Sequence, residues 1–299
     1  MDANFLTAVL LPLALFVIML GMGLGLTPND FKRVLVEPKG VIVGAIAQLV
    51  LLPLVGFGLA NVFPLAPELA VGVMVLAACP GGSTSNLITY LVGGNVALSI
   101  TLTAVCSLIT VFTIPLVVNG AMQHFLEATT ALQLPFLKTV IQIAVITLIP
   151  IGIGMVLHRY ASKFAATVEG YVKWLSLFFL GLVIAGLLLA ERANVVDFFL
   201  QVGWVMLILN VVMMSLGYAI ASGLKLDNAS AKSISIEVGI QNGTLAIAIA
   251  STPTLLNSPA MAIPAAIYSL IMFATSAAFG WFIRQQGQRS KLRNDDFRA

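Results

Sequence analysis

One carboxylate, Glu237, lies inside an otherwise apolar run, "SISIEVGIQNGTLAIAIA" (233–250), with Gln241 and Asn242 close behind it and Gly239 and Gly243 interleaved. The other eleven of the twelve acidic residues fall in expected loops, tails or helix ends. A charged side chain at the centre of a membrane helix costs about 2.5–3.5 kcal/mol on insertion scales, so its retention points to function by default. Three roles are open to it: a structural pair with a basic residue, a proton relay, or a cation site. Lys232, the nearest base in the chain, lies on a poorly matched face near the end of the span. Gln48 and Gln241 cannot titrate, which favours an ion cage over a relay.

A second polar interruption occurs in the first half. "CPGGSTSNLITYLVGGN" (79–95) places Pro80, Gly81 and Gly82 ahead of Ser83, Thr84, Ser85 and Asn86. Pro80 removes a backbone donor and clashes with the preceding turn. Each glycine costs about 1 kcal/mol against alanine in a helix. The helix is therefore expected to break there, freeing carbonyls and amides. Such backbone survives at membrane depth only where protein buries it or it lines a wet cavity. One polar run ends in Ser85-Asn86 and the other in Gln241-Asn242. Paired interruptions in corresponding positions of two halves are the pattern of a transporter site.

Further oxygen donors follow. Ser99 and Thr103 are four apart and share a helix face. Gln48 is the one polar side chain in the interior of its expected span. Each is weak alone, because membrane Ser and Thr usually satisfy their own backbone and a Gln can simply join helices. Together they surround a single negative charge with oxygen, the ligand that small hard cations prefer. A monovalent cation suits one carboxylate, and sodium fits better than a transition metal.

These groups must be held by membrane helices. The 299-residue chain is 60% hydrophobic and 9% charged, with mean hydropathy +1.04; soluble domains carry roughly 25% charged residues. Nine spans are expected, at about 4–25, 38–61, 68–92, 96–120, 136–158, 168–190, 198–221, 229–250 and 260–283. Runs of this length exclude a β-barrel, whose segments are about ten residues in alternation. The first run lacks a basic start and exceeds a signal core, so it is expected to be retained. Spans three and eight lie an odd number apart, so the two interrupted copies cross in opposite senses.

Basic residues set the orientation. With the C-terminus inside, Lys32, Arg33, Lys39, Arg159, Lys163, Lys173, Lys225, Lys232 and the five Arg/Lys of 284–298 fall at inner ends, and Lys138 and Arg192 outside. A multi-pass inner-membrane protein, N-terminus out and C-terminus cytoplasmic, is expected. The +3 charge is thus a topology signal, with no call for nucleic acid or an obligatory protein partner. The tail is expected to be a solvated, partly disordered basic stop. Cys79 and Cys106 show no CxxC or zinc spacing, and His124 and His158 lie at helix ends. Trp174, Trp204 and Trp281 are expected interfacial anchors, and Met19, Met22, Met213 and Met214 lipid-facing or packing residues. Asn210 either joins the polar core or bridges helices.

At the quoted motifs the sequence resembles the bile acid:sodium symporter family. The matching pieces are "MLGMGLGLTPNDFKRV" (19–34), "IAQLVLLP" (46–53), "CPGGSTSNLITYLVGGNVALSITLT" (79–103) and "SISIEVGIQNG" (233–243). The resemblance implies an all-α membrane fold of inverted repeats with two broken crossing helices. The family form has ten helices, and this chain is expected to lack the first. A panel domain would comprise 1–33 and 131–194 and a core domain 34–130 and 195–285, with 286–299 a cytoplasmic tail. It also implies two sodium sites: Ser85, Asn86, Ser99, Thr103 and Glu237 at the first; Gln48, Glu237 and Gln241 with the carbonyls of Val238 and Ile240 at the second.

On the substrate side the pattern departs. Bacterial relatives often carry His-Asn on the last helix after "PGALFSV", where "PAAIYSLIMFATS" (264–276) places Met272 and Phe273. Ser83, Thr84 and Asn242 remain as polar candidates at the half-helix starts, whose positive ends favour carboxylates. The implied activity is sodium-coupled import of a small organic anion by alternating access; family substrates range from bile acids to pantoate and pyruvate. Proton coupling, anion exchange and a non-transporting ligand sensor are the alternatives. Without HExxH, GxSxG or a second intramembrane acid, an enzyme is not expected.

Overall fold

The computed structural model describes residues 9–126, 134–190, 192 and 195–296, with 173, 190, 195, 284 and 286–296 by backbone alone. The start of the first expected span, Asp2, Glu127, Glu191 and the domain boundaries expected near 130 and 194 lie outside the described residues. Every described element is helical apart from one isolated bridge. Six helices are long and apolar enough to cross a membrane, seven if a first helix and the short bent segment after it count as one.

The helices are α1 (Leu11–Leu24), α2 (Pro38–Val62), α3 (Pro67–Ala78), α4 (Thr84–Leu91), α5 (Val96–Phe125), α6 (Phe136–Tyr160), α7 (Ser162–Ala190), α8 (Val195–Gly223), α9 (Asn228–Gly239), α10 (Gly243–Ser251) and α11 (Pro259–Asp296). The expected third and eighth spans are each divided, into α3/α4 and α9/α10. Pro80 cannot donate to the turn before it, and the backbone is extended at Cys79 and again at Ile240. After α1, where a plain linker is expected, Pro28–Lys32 forms a capped helical turn, and Pro28–Leu35 is bent by 71° from α1. Thr27 and Asp30 close it by reciprocal capping. The final helix continues through the basic tail to Asp296, where a disordered tail is expected. Its Arg, Lys, Gln and Leu residues propagate a helix already nucleated.

Large apolar side chains point outward, among them Leu54, Leu116 and Leu189, as lipid-facing residues do. Trp174, Trp204 and Trp281 are also exposed, whereas Met19, Met22, Met213 and Met214 are buried packing residues. α1 packs on α6 and α7. Gly23 and Gly154 allow backbone contact there: a Cβ on Gly23 would strike the Ile151 carbonyl, and one on Gly154 the Leu20 carbonyl. Around the breaks, α4 packs on α9 and α10 on α3, while α5, α8 and α11 surround them.

Candidate ion and anion site

The two breaks satisfy each other's backbone. Gly82 N–H donates to the Ile240 carbonyl at 3.0 Å, and Asn242 N–H to the Pro80 carbonyl at 2.9 Å. They form an antiparallel bridge between Gly81 and Gln241. Groups that each interruption frees, costly if left alone in an apolar medium, are paired with those of the other.

Glu237 lies on the last turn of α9 beside this bridge, completely buried. Its Oε2 accepts from Ser85 Oγ at 2.7 Å and Ser99 Oγ at 2.9 Å, and its Oε1 from Thr103 Oγ1 at 2.6 Å. Three elements, α4, α5 and α9, thus bring four of the five residues expected at the first site together. The fifth, Asn86, adjoins Ser85 and has a buried Oδ1 without a hydrogen-bond partner. Gly81 packs against the carboxylate so closely that a Cβ there would collide with Oε1. Lys232 donates instead to the Val92 carbonyl at 3.2 Å. Glu237 therefore forms no ion pair with Lys232.

The second expected group assembles one turn along. α2 switches to a π turn over Ala47–Leu51, a local irregularity frequent at functional sites. Gln48 in that turn donates to the Cys79 carbonyl at 3.1 Å and to Gln241 Oε1 at 2.7 Å. Gln241 Nε2 donates to the Val238 carbonyl at 2.8 Å. Gln48, Gln241 and Val238 are therefore together, whereas the Ile240 carbonyl faces Gly82 N–H. The hydrogen bonds recorded for the Glu237 carboxylate run to the hydroxyl set and not to these amides.

A cleft enclosing about 100 Å³ opens at the breaks. The starts of α4 and α10 line it through Ser83, Thr84 and Asn242, facing Gly21 of α1 and Ser176 of α7. Asn242 Oδ1 caps α10 by accepting from Leu245 N–H at 3.0 Å, while its buried Nδ2 has no partner. The walls are otherwise apolar, with Ile18, Leu87, Leu180 and Met272. Met272 thus occupies the cleft from the last helix.

Two buried residues, Thr89 and Tyr268, carry more than the sequence signals, and Asn210 takes one of the two roles expected of it. Thr89 donates to Ser99 Oγ at 3.3 Å; its spacing of four from Ser85 was a usable signal. Asn210 joins the polar core, bonding to Tyr268 and the Gly239 carbonyl. Tyr268 had no signal, being one aromatic in an apolar helix. His124 contacts Asn61 and His158 the Leu24 carbonyl, both away from Glu237.

The model of the Sodium Bile acid symporter family matches residues 12–198. An uncharacterized sodium-dependent transporter, YocS, of Bacillus subtilis is 34% identical over 85% of this chain and 76% of its own length. The probable sodium/metabolite cotransporter BASS1, chloroplastic, of Oryza sativa is 31% identical over 84% of this chain and 60% of its own. Human sodium/bile acid cotransporter 4 is 29% identical over 94% and 65%. The chain spans less than two thirds of those last two proteins. Membership of a family of transporters, rather than any missing motif, settles that an enzyme is not the right class. This integral membrane protein, with its paired helix breaks around a buried carboxylate, belongs to the sodium bile acid symporter family.

Proposed function

We propose that the chain is a sodium-coupled symporter that imports a small organic anion by alternating access, using two sodium sites around Glu237. The observation that carries this reading is the carboxylate itself: fully buried, without a basic partner among the described residues, and ringed by three hydroxyls. An uncompensated charge in that position is expensive, and a bound cation removes the expense. The hydroxyl oxygens keep lone pairs with which to ligate it. Ser85, Asn86, Ser99, Thr103 and Glu237 make the first site. Gln48, Gln241, Glu237 and the carbonyls of Val238 and Ile240 make the second, supported by the Gln48–Gln241–Val238 grouping.

The substrate sits in the cleft. Two helix starts converge there, and the unpartnered Asn242 amide adds a donor, a setting that favours a carboxylate. The apolar walls suit a compact, largely apolar body. α1, α6 and α7 form the panel and the remaining helices the core, so the cleft lies along the surface on which they rock. Sodium neutralises Glu237, which would otherwise repel the anion, and the anion raises sodium affinity by the same factor. The relatives, a sodium-dependent transporter and sodium cotransporters, support this scheme.

Uptake of radiolabelled small monocarboxylates by proteoliposomes tests it. An inward sodium gradient is expected to drive accumulation, and potassium at the same pH is not. Equal uptake in both salts, or uptake that follows pH alone, overturns the sodium coupling.

A further inference from the structure

α9 ends at Gly239, whose carbonyl has no partner within its own helix. Two side chains from different helices supply one. Asn210 Nδ2 of α8 donates to it at 2.7 Å, and Tyr268 OH of α11 at 3.0 Å. The same Asn210 amide reaches the Tyr268 oxygen at 3.0 Å, closing a triangle. Both residues are completely buried. One turn back, Ser235 Oγ donates to the Met214 carbonyl at 2.7 Å, so α8 and α9 are tied at two levels. Gly239 leaves no room for error there, since a Cβ would run into Met214.

We propose that Asn210 and Tyr268 are a positioning pair that selects which main-chain carbonyls face the second sodium ion. The proposal rests on the two-site reading above. A carbonyl oxygen has two lone pairs. Both on Gly239 are taken, one by Asn210 and one by Tyr268. Its neighbours are differently placed: Val238 accepts one bond from Gln241, and Ile240 one from Gly82. Each keeps a lone pair for a cation. The three carbonyls are consecutive along the chain, so holding the middle one away from the ion restricts the φ and ψ torsions through which those on either side turn. The pair touches no ion and acts through the peptide it holds.

Sodium titrations of uptake separate this from a purely structural role. In Tyr268→Phe, which keeps the ring, half-saturating sodium is expected to rise roughly three- to tenfold, the scale of one buried hydrogen bond. The maximal rate and the substrate KM at saturating sodium stay as in the wild type. Asn210→Leu, close in volume and free of the unmet Oδ1, is expected to shift the same way and offers a second route should the phenylalanine variant fold poorly. Ser235→Ala cuts the other tie; it should lower the melting temperature and leave sodium affinity alone. Sodium-driven wild-type uptake with unshifted half-saturation in both variants overturns the inference by itself. A shift in substrate KM without one in sodium does the same. Wild-type uptake indifferent to sodium overturns both the inference and the reading beneath it.

Discussion

Thr103 Oγ1 lies 2.6 Å from Glu237 Oε1, joining α5 to α9 across 134 positions of sequence. Thr103 also donates to the Ser99 carbonyl at 3.0 Å, so one hydroxyl is shared between its own helix and the carboxylate. These two bonds hold that oxygen in one placement. Thr103→Val keeps the shape and removes the oxygen. Half-saturating sodium is expected to rise by about tenfold, with the protein still folded. Sodium-dependent uptake at fixed substrate measures it.

Glu237→Gln removes the charge while keeping hydrogen-bonding capacity. Losing a buried charge partner costs about 3–5 kcal/mol of ion binding, so sodium-driven uptake should fall by at least a hundredfold. Stability without sodium should be equal or higher, because a neutral amide is cheaper to bury. Thermal unfolding with and without sodium checks both signs: the wild type gains melting temperature from the ion and the variant does not.

Gly81→Ala places a methyl against Glu237 Oε1. Overpacking of this kind costs about 1–3 kcal/mol. The expected result is a lower melting temperature and loss of sodium-driven uptake together, read on one purified sample. Gly120→Ala, where a Cβ meets open space, is the matched control and should leave both unchanged.

Asn242→Ala deletes the α10 cap and the unpartnered amide in the cleft. Cap loss costs about 1 kcal/mol. Substrate KM should rise roughly tenfold through the lost donor, with half-saturating sodium little changed. Asn242→Asp keeps the cap but adds negative charge beside the anion, so its KM should rise further. Uptake kinetics for both variants separate cap from donor.

Orientation is checked with the native cysteines as a silent background, since Cys79 and Cys106 are buried. Lys225→Cys and Lys138→Cys stand on exposed positions at opposite ends of the expected spans. An impermeant thiol reagent added outside whole cells should label Lys138→Cys and spare Lys225→Cys until the membrane is opened. The reverse pattern contradicts the expected topology.

Much of this architecture was legible from residue types. Pro80 with two glycines marked one break, and Gly239 and Gly243 bracketed the other. Glu237 stood out because no apolar span carries a carboxylate without reason. What escaped were features that exist only after helices meet. Tyr268 carries no periodic signal, and its role depends on where α11 crosses the end of α9. The π turn at Gln48 arises from local winding, which composition does not encode. The helical turn at Pro28–Lys32 escaped for a different reason: Thr27 and Asp30 are a legible cap, but the Pro-Asn pair reads equally as a loop.

The bridge between Gly81 and Gln241 has a consequence for biogenesis. The first interruption leaves the ribosome long before its counterpart has been made, so its exposed peptide groups must be sheltered by water or by the insertion machinery meanwhile. The second half then completes the first. A polypeptide cut between them would carry two wounds that neither fragment can close, and re-straightening either one alone by substitution would strand the other.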